Sequence, residues 1–263
     1  VANFNGNDSA NRIEGTSLAD IIRGFDGDDR LYGFGGNDLI YGDDDQDQLF
    51  GGDGNDSLFG GKGEDQLFGG NGNDVLTDES GDDAMYGGAG NDRISGGEGN
   101  DLLDGGAGID SLFGGEGNDR MNGGGGNDVM EGGSGDDVLA GGAGNDRMTG
   151  GEGNDVFDGG NGNDVMTGGE GNDRFTGGAG NDVMTGGVGG DTFVFTAGAD
   201  RITDFESGDD DIDLSALASV NSIDDVFDVA VQSGSSVVFN FAEGRLTLEK
   251  TSLSELGSDD FLF

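Results

Sequence analysis

Aspartate recurs at every ninth residue along most of this chain. The series is Asp20, Asp29, Asp38, Asp47, Asp56, Asp65, Asp74, Asp83, Asp92, Asp101, Asp110, Asp119, Asp128, Asp137, Asp146, Asp155, Asp164, Asp173, Asp182 and Asp191, and Asn11 takes the same phase one period earlier. No insertion or deletion breaks it. Carboxylates in register can do two kinds of chemistry. A pair can serve as acid and base in glycoside hydrolysis, or an oxygen-rich array can hold hard cations. The chain has no His and no Cys, so the usual triads, thiol nucleophiles and His–zinc motifs are absent. One repeated role already accounts for nearly every aspartate of the series. The expectation is therefore a chain that is not an enzyme and that binds cations.

Each aspartate is the sixth residue of a nonapeptide, and 21 such units run from Gly6 to Val194. The first residue is Gly everywhere except Asp78, and the eighth is always apolar, from Ile13, Ile22 and Leu31 to Met184 and Phe193. A well-formed unit is Gly87 to Ser95, GGAGNDRIS. The Gly-Gly-x-Gly-x-Asp part reads as a turn, because glycine accepts positive φ and close backbone approach. The x-apolar-x part reads as a strand of about three residues with its central side chain inward. So short a strand needs neighbours. Stacking parallel strands gives two units per 18-residue coil, about ten coils in all, at roughly 4.8 Å per coil. The predicted fold is all-β, a parallel β-solenoid closed by a small C-terminal β-rich cap.

In such a stack the aspartates repel. Carboxylates ~5 Å apart cost about 1 kcal/mol per neighbour in water and about 3 at an effective dielectric of 20. Calcium answers that repulsion, since it takes six to eight oxygens in flexible geometry and glycine-rich turns expose carbonyls. Magnesium gives up its water reluctantly, and zinc would want His or Cys. Ions bridging units i and i+2 would number roughly 15–18.

Composition agrees. Among 263 residues there are 61 Gly and no Pro, Cys or Trp, and 55 Asp plus Glu against 11 Lys plus Arg give a formal charge of −44. That sign excludes nucleic acid and anionic membrane surfaces as electrostatic partners. No stretch approaches the ~18 apolar residues of a membrane span.

The GGxGxDxUx unit, with U apolar, is similar to the nonapeptide of the repeats-in-toxin (RTX) family. The resemblance implies a calcium-bound parallel β-roll, a right-handed β-solenoid. It also implies a ligand set: carbonyls of positions 2 and 4 and the Asp of one unit, with carbonyls of positions 1 and 3 and the Asp two units on. One site would then be Gly88, Gly90 and Asp92 with Gly105, Ala107 and Asp110. The next would be Gly97, Gly99 and Asp101 with Gly114, Glu116 and Asp119. The match weakens toward the N-terminus, where Thr16, Leu18, Asp43, Asp45, Asp78 and Glu79 replace glycines. Residues 1–23 read as an N-terminal cap with divergent repeats, 24–194 as the roll, and 195–263 as a C-terminal cap.

Position 9 faces outward, and one column of it stacks Tyr32, Phe50, Phe68 and Tyr86. This apolar stripe reads either as a stiffening ladder or as a contact surface. After Val194 the nonapeptide ends. Thr192 to Thr196 reads as a strand, and Arg201 to Leu214 as two short strands around Ser207-Gly208. Ser222 reads as the cap of a short helix, and Val237 to Phe241 with Arg245 to Glu249 as a hairpin. The words DTFVF, ITDF, GDDDIDLSAL and DDFLF resemble the segment that follows RTX rolls. That resemblance makes Asp260, Phe261, Leu262 and Phe263 a type I secretion signal, with the secretion machinery as a partner.

Three readings of function follow. The first is a secreted structural protein of the bacterial cell surface or matrix, a filament, layer or adhesin that self-assembles. The second is the secretion and folding module of a larger enzyme or toxin. The third is a calcium-dependent binding module for a surface polysaccharide.

Overall fold

The computed structural model describes residues 1–263, which form two compact units, Val1–Ser134 and Gly135–Phe263. In the first unit successive strands alternate between two parallel sheets. One sheet holds Ile21–Asp26, Leu39–Asp44, Ser57–Lys62, Val75–Thr77, Arg93–Glu98 and Ser111–Glu116 in that order. The other holds Arg30–Gly35, Gln48–Asp53, Gln66–Asn71, Ala84–Ala89, Leu102–Ala107 and Arg120–Gly125. Partners lie 18 residues apart, as in Ile94↔Leu112 and Met85↔Leu103. Two nonapeptides therefore make one coil of a parallel β-solenoid, as the period requires. The N-terminal residues already belong to it, with Asn3–Asn5, ahead of the first unit, paired on Ile21–Asp26 and Arg12–Glu14 on Arg30–Gly35.

The eighth-position side chains make the core. From Ile22 through Leu112 they are fully buried, and Met121 and Met130 nearly so. Ile13, at the open N-terminal end, is only half-buried.

Most strands are six residues long, not three. Arg93–Glu98 runs from position 7 of one unit through position 3 of the next, alternating outward and inward. The Gly-Gly-x segment belongs to the strand because its backbone keeps pairing, Gly97↔Gly115 and Glu98↔Glu116. The turn is only positions 4 to 6. Position 2 has positive φ at every glycine that holds it from Gly52 onward in this unit. Phe25, Phe34 and Asp43, at the same position, are forced into that left-handed region (φ 81, 73 and 86).

The second unit repeats the pattern through Val156–Asn161, Val165–Glu170 and Val183–Val188, with Phe157, Phe175 and Phe193 stacked in its core at 4.8 and 5.1 Å. Parallel pairing continues past Val194. Gly198–Ile202 joins Val183–Val188 and in turn carries Gly244–Leu248, while Asp211–Asp213 joins Thr192–Val194 and carries Phe261–Leu262. An antiparallel meander of Ala230–Ser233, Ser236–Asn240 and Gly244–Leu248 completes the cap. The helix Ile223–Val229 is capped by the Ser222 hydroxyl, which accepts from the Asp225 amide.

Candidate metal centre

The turn after each strand delivers its aspartate inward. All twenty aspartates of the series are buried, none more than 3% exposed. The two oxygens of each carboxylate have different fates. Oδ1 accepts the backbone N–H of the aspartate one coil earlier. In the first unit the chain of bonds runs Asp20 N–H to Asp38, Asp38 to Asp56, Asp56 to Asp74 and Asp74 to Asp92, at 2.7–2.8 Å. A parallel series runs Asp29, Asp47, Asp65, Asp83 and Asp101 at 2.7–2.9 Å. The second unit does the same from Asp137 to Asp155 to Asp173 to Asp191. This structural use of Oδ1 carries no sequence signal of its own.

Oδ2 is left over. In Asp29, Asp38, Asp47, Asp56, Asp65, Asp74, Asp83, Asp92, Asp101 and Asp110, and in Asp155, Asp164 and Asp173, it is buried with no hydrogen-bond partner. A buried unpartnered polar atom is costly, and a column of them is a demand for a ligand. What lies beside each Oδ2 names the ligand. A Cβ placed on Gly87 would stand 2.5 Å from Asp92 Oδ2 and 2.7 Å from the Gly105 carbonyl oxygen. At Gly105 the same test meets Asp110 Oδ2 at 2.6 Å and the Gly123 carbonyl at 2.8 Å. The first position is glycine because the space is shared by a carboxylate and a carbonyl, both acceptors. Such a cradle fits a hard, oxygen-seeking cation.

Asp92 and Gly105 of the first expected ligand set thus face one space, and Asp101 and the Gly114 carbonyl do so in the next. Gly88, Gly90, Gly97 and Gly99 have positive φ (106°, 136°, 114° and 138°), and the Gly88 and Gly90 carbonyls point at Gly106 and Gly108 of the following coil. The Ala107 and Glu116 carbonyls each accept an amide, from Gly90 and Gly99 at 2.8 and 2.7 Å, and a carbonyl keeps a second lone pair. Calcium bound in these cradles would supply the positive charge that the stacked carboxylates lack.

Electrostatics agrees. Burial, with the charges of neighbouring aspartates behind it, pushes Asp47 up to about 8 and Asp74 and Asp173 up to about 7, against the lowering effect of the amide each accepts. Asp20 behaves differently. Its Oδ2 accepts from the Thr16 hydroxyl and amide, both at 2.7 Å, and its Oδ1 from the Ala2 amide, so its pKa falls, the Thr16 hydroxyl being the main cause. Protein donors replace the cation at this end of the column.

Three features escaped the sequence. Asp200 and Asp210 extend the column beyond Asp191, accepting the amides of Asp182 and Asp191 at 3.0 and 2.9 Å. Asp200 keeps the nine-residue phase, but the glycines of the repeat have ended before it, and at Asp210 the spacing slips from 18 to 19 residues. A second, exposed ladder runs through position 5 in the opposite sense, the Asn73 side chain accepting from the Asn91 amide and Asn55 from Asn73, at 2.8 and 2.9 Å. Arginines also face the outer aromatics. Tyr32, Phe50, Phe68 and Tyr86 stack at 4.8, 4.9 and 5.1 Å, half-buried, with the Arg12 guanidinium 4.4 Å over Tyr32; Arg93 sits likewise over Phe113 at 4.3 Å.

Of the four C-terminal residues, Asp260 is fully buried and accepts from the Ser207 hydroxyl and the Gly208 and Gly257 amides. Phe261 is buried with its ring against Phe239 at 5.8 Å, and Leu262 and Phe263 are exposed. No helix is long and apolar enough to cross a membrane.

Comparison with known proteins gives the same reading of the repeat. An extracellular lipase from Serratia marcescens is 20% identical, with a TM-score of 0.31; the match covers 70% of this chain and 40% of the lipase. A subunit of the mannuronan C5-epimerase from Azotobacter vinelandii is 27% identical, with a TM-score of 0.35, over 54% of this chain and 80% of that one. No curated protein matches. The profile of the RTX calcium-binding nonapeptide repeat, four copies long, matches in overlapping windows from 5–40 and 14–49 through 95–130 and 131–166 to 167–202. These windows contain the glycine cradles, the aspartate column and the apolar core described above, and the chain belongs to the RTX calcium-binding nonapeptide repeat family.

Proposed function

We propose that this chain is a calcium-triggered folding element of a secreted bacterial protein. It stays unfolded where calcium is scarce and folds into the calcium-bound β-roll outside the cell. The observation that supports this most directly is the column of buried, unpartnered Oδ2 atoms, whose burial is costly without a cation. With millimolar calcium and site constants of ~10⁻⁴–10⁻³ M, each site adds up to ~1 kcal/mol. Summed along a stack this decides between folded and unfolded chain, and at cytosolic calcium it vanishes. Asp260 to Phe263 serve as the export signal while the chain is unfolded and as part of the cap once it has folded.

The role we assign is structural and non-catalytic: a filament, layer or adhesin at the cell surface or in matrix. The stacked stripe of Tyr32, Phe50, Phe68 and Tyr86 is the surface we assign to contact with a second copy. Size-exclusion chromatography with light scattering should show an expanded monomer in chelator and compact, associating particles in calcium. Phe50→Ser with Phe68→Ser should cut that association at least several-fold and leave the calcium-induced compaction in place. Association unchanged by the double substitution removes this surface. A compact monomer that never associates favours the alternative role, a secretion and folding module of a larger enzyme or toxin. Retention on a polysaccharide column only in calcium would point instead to glycan binding.

A further inference from the structure

Asp78 is the one residue that breaks the glycine of position 1, and the structure uses it. At other coils the space beside the sixth-position carboxylate is shared with a first-position carbonyl, as with Asp74 Oδ2 and the Gly87 carbonyl, 2.5 and 2.6 Å from a Cβ placed on Gly69. At Gly60 the atom in the carbonyl's place is Asp78 Oδ2, with Asp65 Oδ2 at 2.5 Å. A third carboxylate, Asp83, completes the group, and one oxygen of each lies within 4.8 Å of the others.

The three side chains are built alike. Their Oδ1 atoms are spoken for, accepting at 2.7 Å the amides of Asp47 (by Asp65), Glu79 (by Asp78) and Asp65 (by Asp83). Their Oδ2 atoms have no hydrogen-bond partner, and the residues are 1%, 5% and 2% exposed. Three buried carboxylates, each anchored through Oδ1 and each offering an oxygen to one space, make a preorganised acceptor set richer in carboxylate than the cradles around it, where one carboxylate is paired with a carbonyl.

We propose that Asp65, Asp78 and Asp83 form a distinct three-carboxylate cation site that fills before the other cradles and seeds the folding of the coils around it. The proposal rests on the reading that the unpartnered oxygens hold calcium, and adds that Asp78 is itself a ligand. Its extra charge raises affinity for Ca²⁺ and raises it further for a trivalent ion of similar size and oxygen preference such as Tb³⁺.

The test titrates the full chain from chelator with Ca²⁺, and separately with Tb³⁺ by luminescence. The wild type should show one ion bound at a free concentration at least tenfold below the main cooperative transition. Asp78→Gly restores the repeat residue and so preserves the fold. It should lose the early step, keep the main transition and shift its midpoint upward. Asp78→Asn keeps the shape and should lose most of the Tb³⁺ over Ca²⁺ preference of that step. An early step retained in Asp78→Gly, or titrations of wild type and variant that superimpose, overturns the proposal and leaves the general calcium reading intact. If neither protein responds to calcium, both fall together.

Discussion

Dialysis against EGTA near neutral pH is expected to abolish the β-sheet circular dichroism and expand the hydrodynamic radius, and acidifying the chelated protein to about pH 4 is expected to restore much of both. The sign follows from the carboxylates. Their folded pKa values are raised above the unfolded ones, so the folded state binds more protons and stability falls as pH rises through that window. Asp74, Asp173 and Asp200 are held near about 7 and Asp47 near about 8, burial being the largest cause in each. At pH 7 each of these carboxylates therefore opposes the metal-free fold, and the opposition acts all along the column. Below about pH 4 the penalty is gone, and a protonated Oδ2 becomes a donor beside a first-position carbonyl. A proton then does locally what calcium does at neutral pH. In calcium the dependence reverses, because protons compete for the same oxygens and the midpoint of calcium binding should rise as pH falls. Retention of the sheet signal in EGTA at neutral pH would refute the account.

The second large effect is expected from one methyl group. In Gly87→Ala the added Cβ meets Asp92 Oδ2 and the Gly105 carbonyl at distances real Cβ atoms do not reach, 2.5 and 2.7 Å. It fills the cradle itself. We expect a loss of ~3–5 kcal/mol of calcium-dependent stability and a clear rise in the calcium midpoint. Gly125→Ala is the control, since a Cβ there has nothing within 4 Å and should change stability by no more than ~0.5 kcal/mol. Asp92→Asn separates charge from shape. Its side-chain oxygen can still accept the Asp74 amide that Asp92 Oδ1 accepts at 2.8 Å, so in EGTA it should be as stable as wild type or more so, and in calcium less. Equal loss from Gly87→Ala and Gly125→Ala in thermal melts would mean that backbone entropy, not the cradle, requires glycine at position 1.

The column of aspartates, the inward eighth position and the two-unit coil were legible because each is carried by a side chain at fixed spacing. The Ser222-capped helix and the terminal hairpin were legible for the same reason. Strand length was not. Positions 1 to 3 are Gly-Gly-x, and their pairing is made by backbone alone, so glycine reads as turn where the chain is still strand. Asp200 keeps the nine-residue phase but lies beyond the glycine-rich units, and Asp210 hid behind one extra residue in the spacing. The special character of Asp78 was visible as a broken rule, but not its outcome: only coordinates show its carboxylate standing where a carbonyl stands elsewhere.

The aspartate bonds have a direction. From Asp20 to Asp110 in the first unit and from Asp137 to Asp191 in the second, the aspartate amide is satisfied by a carboxylate that comes later in the chain, and within the second unit that series ends on Asp200 and Asp210 beside the cap. A polypeptide laid down from its C-terminal end presents a waiting acceptor to every turn that arrives, whereas one laid down from its N-terminal end must leave each such amide bare until the following turn appears. For these bonds, growth from any folded coil is therefore cheaper toward the N-terminus than toward the C-terminus, whereas the exposed asparagine ladder favours the opposite sense.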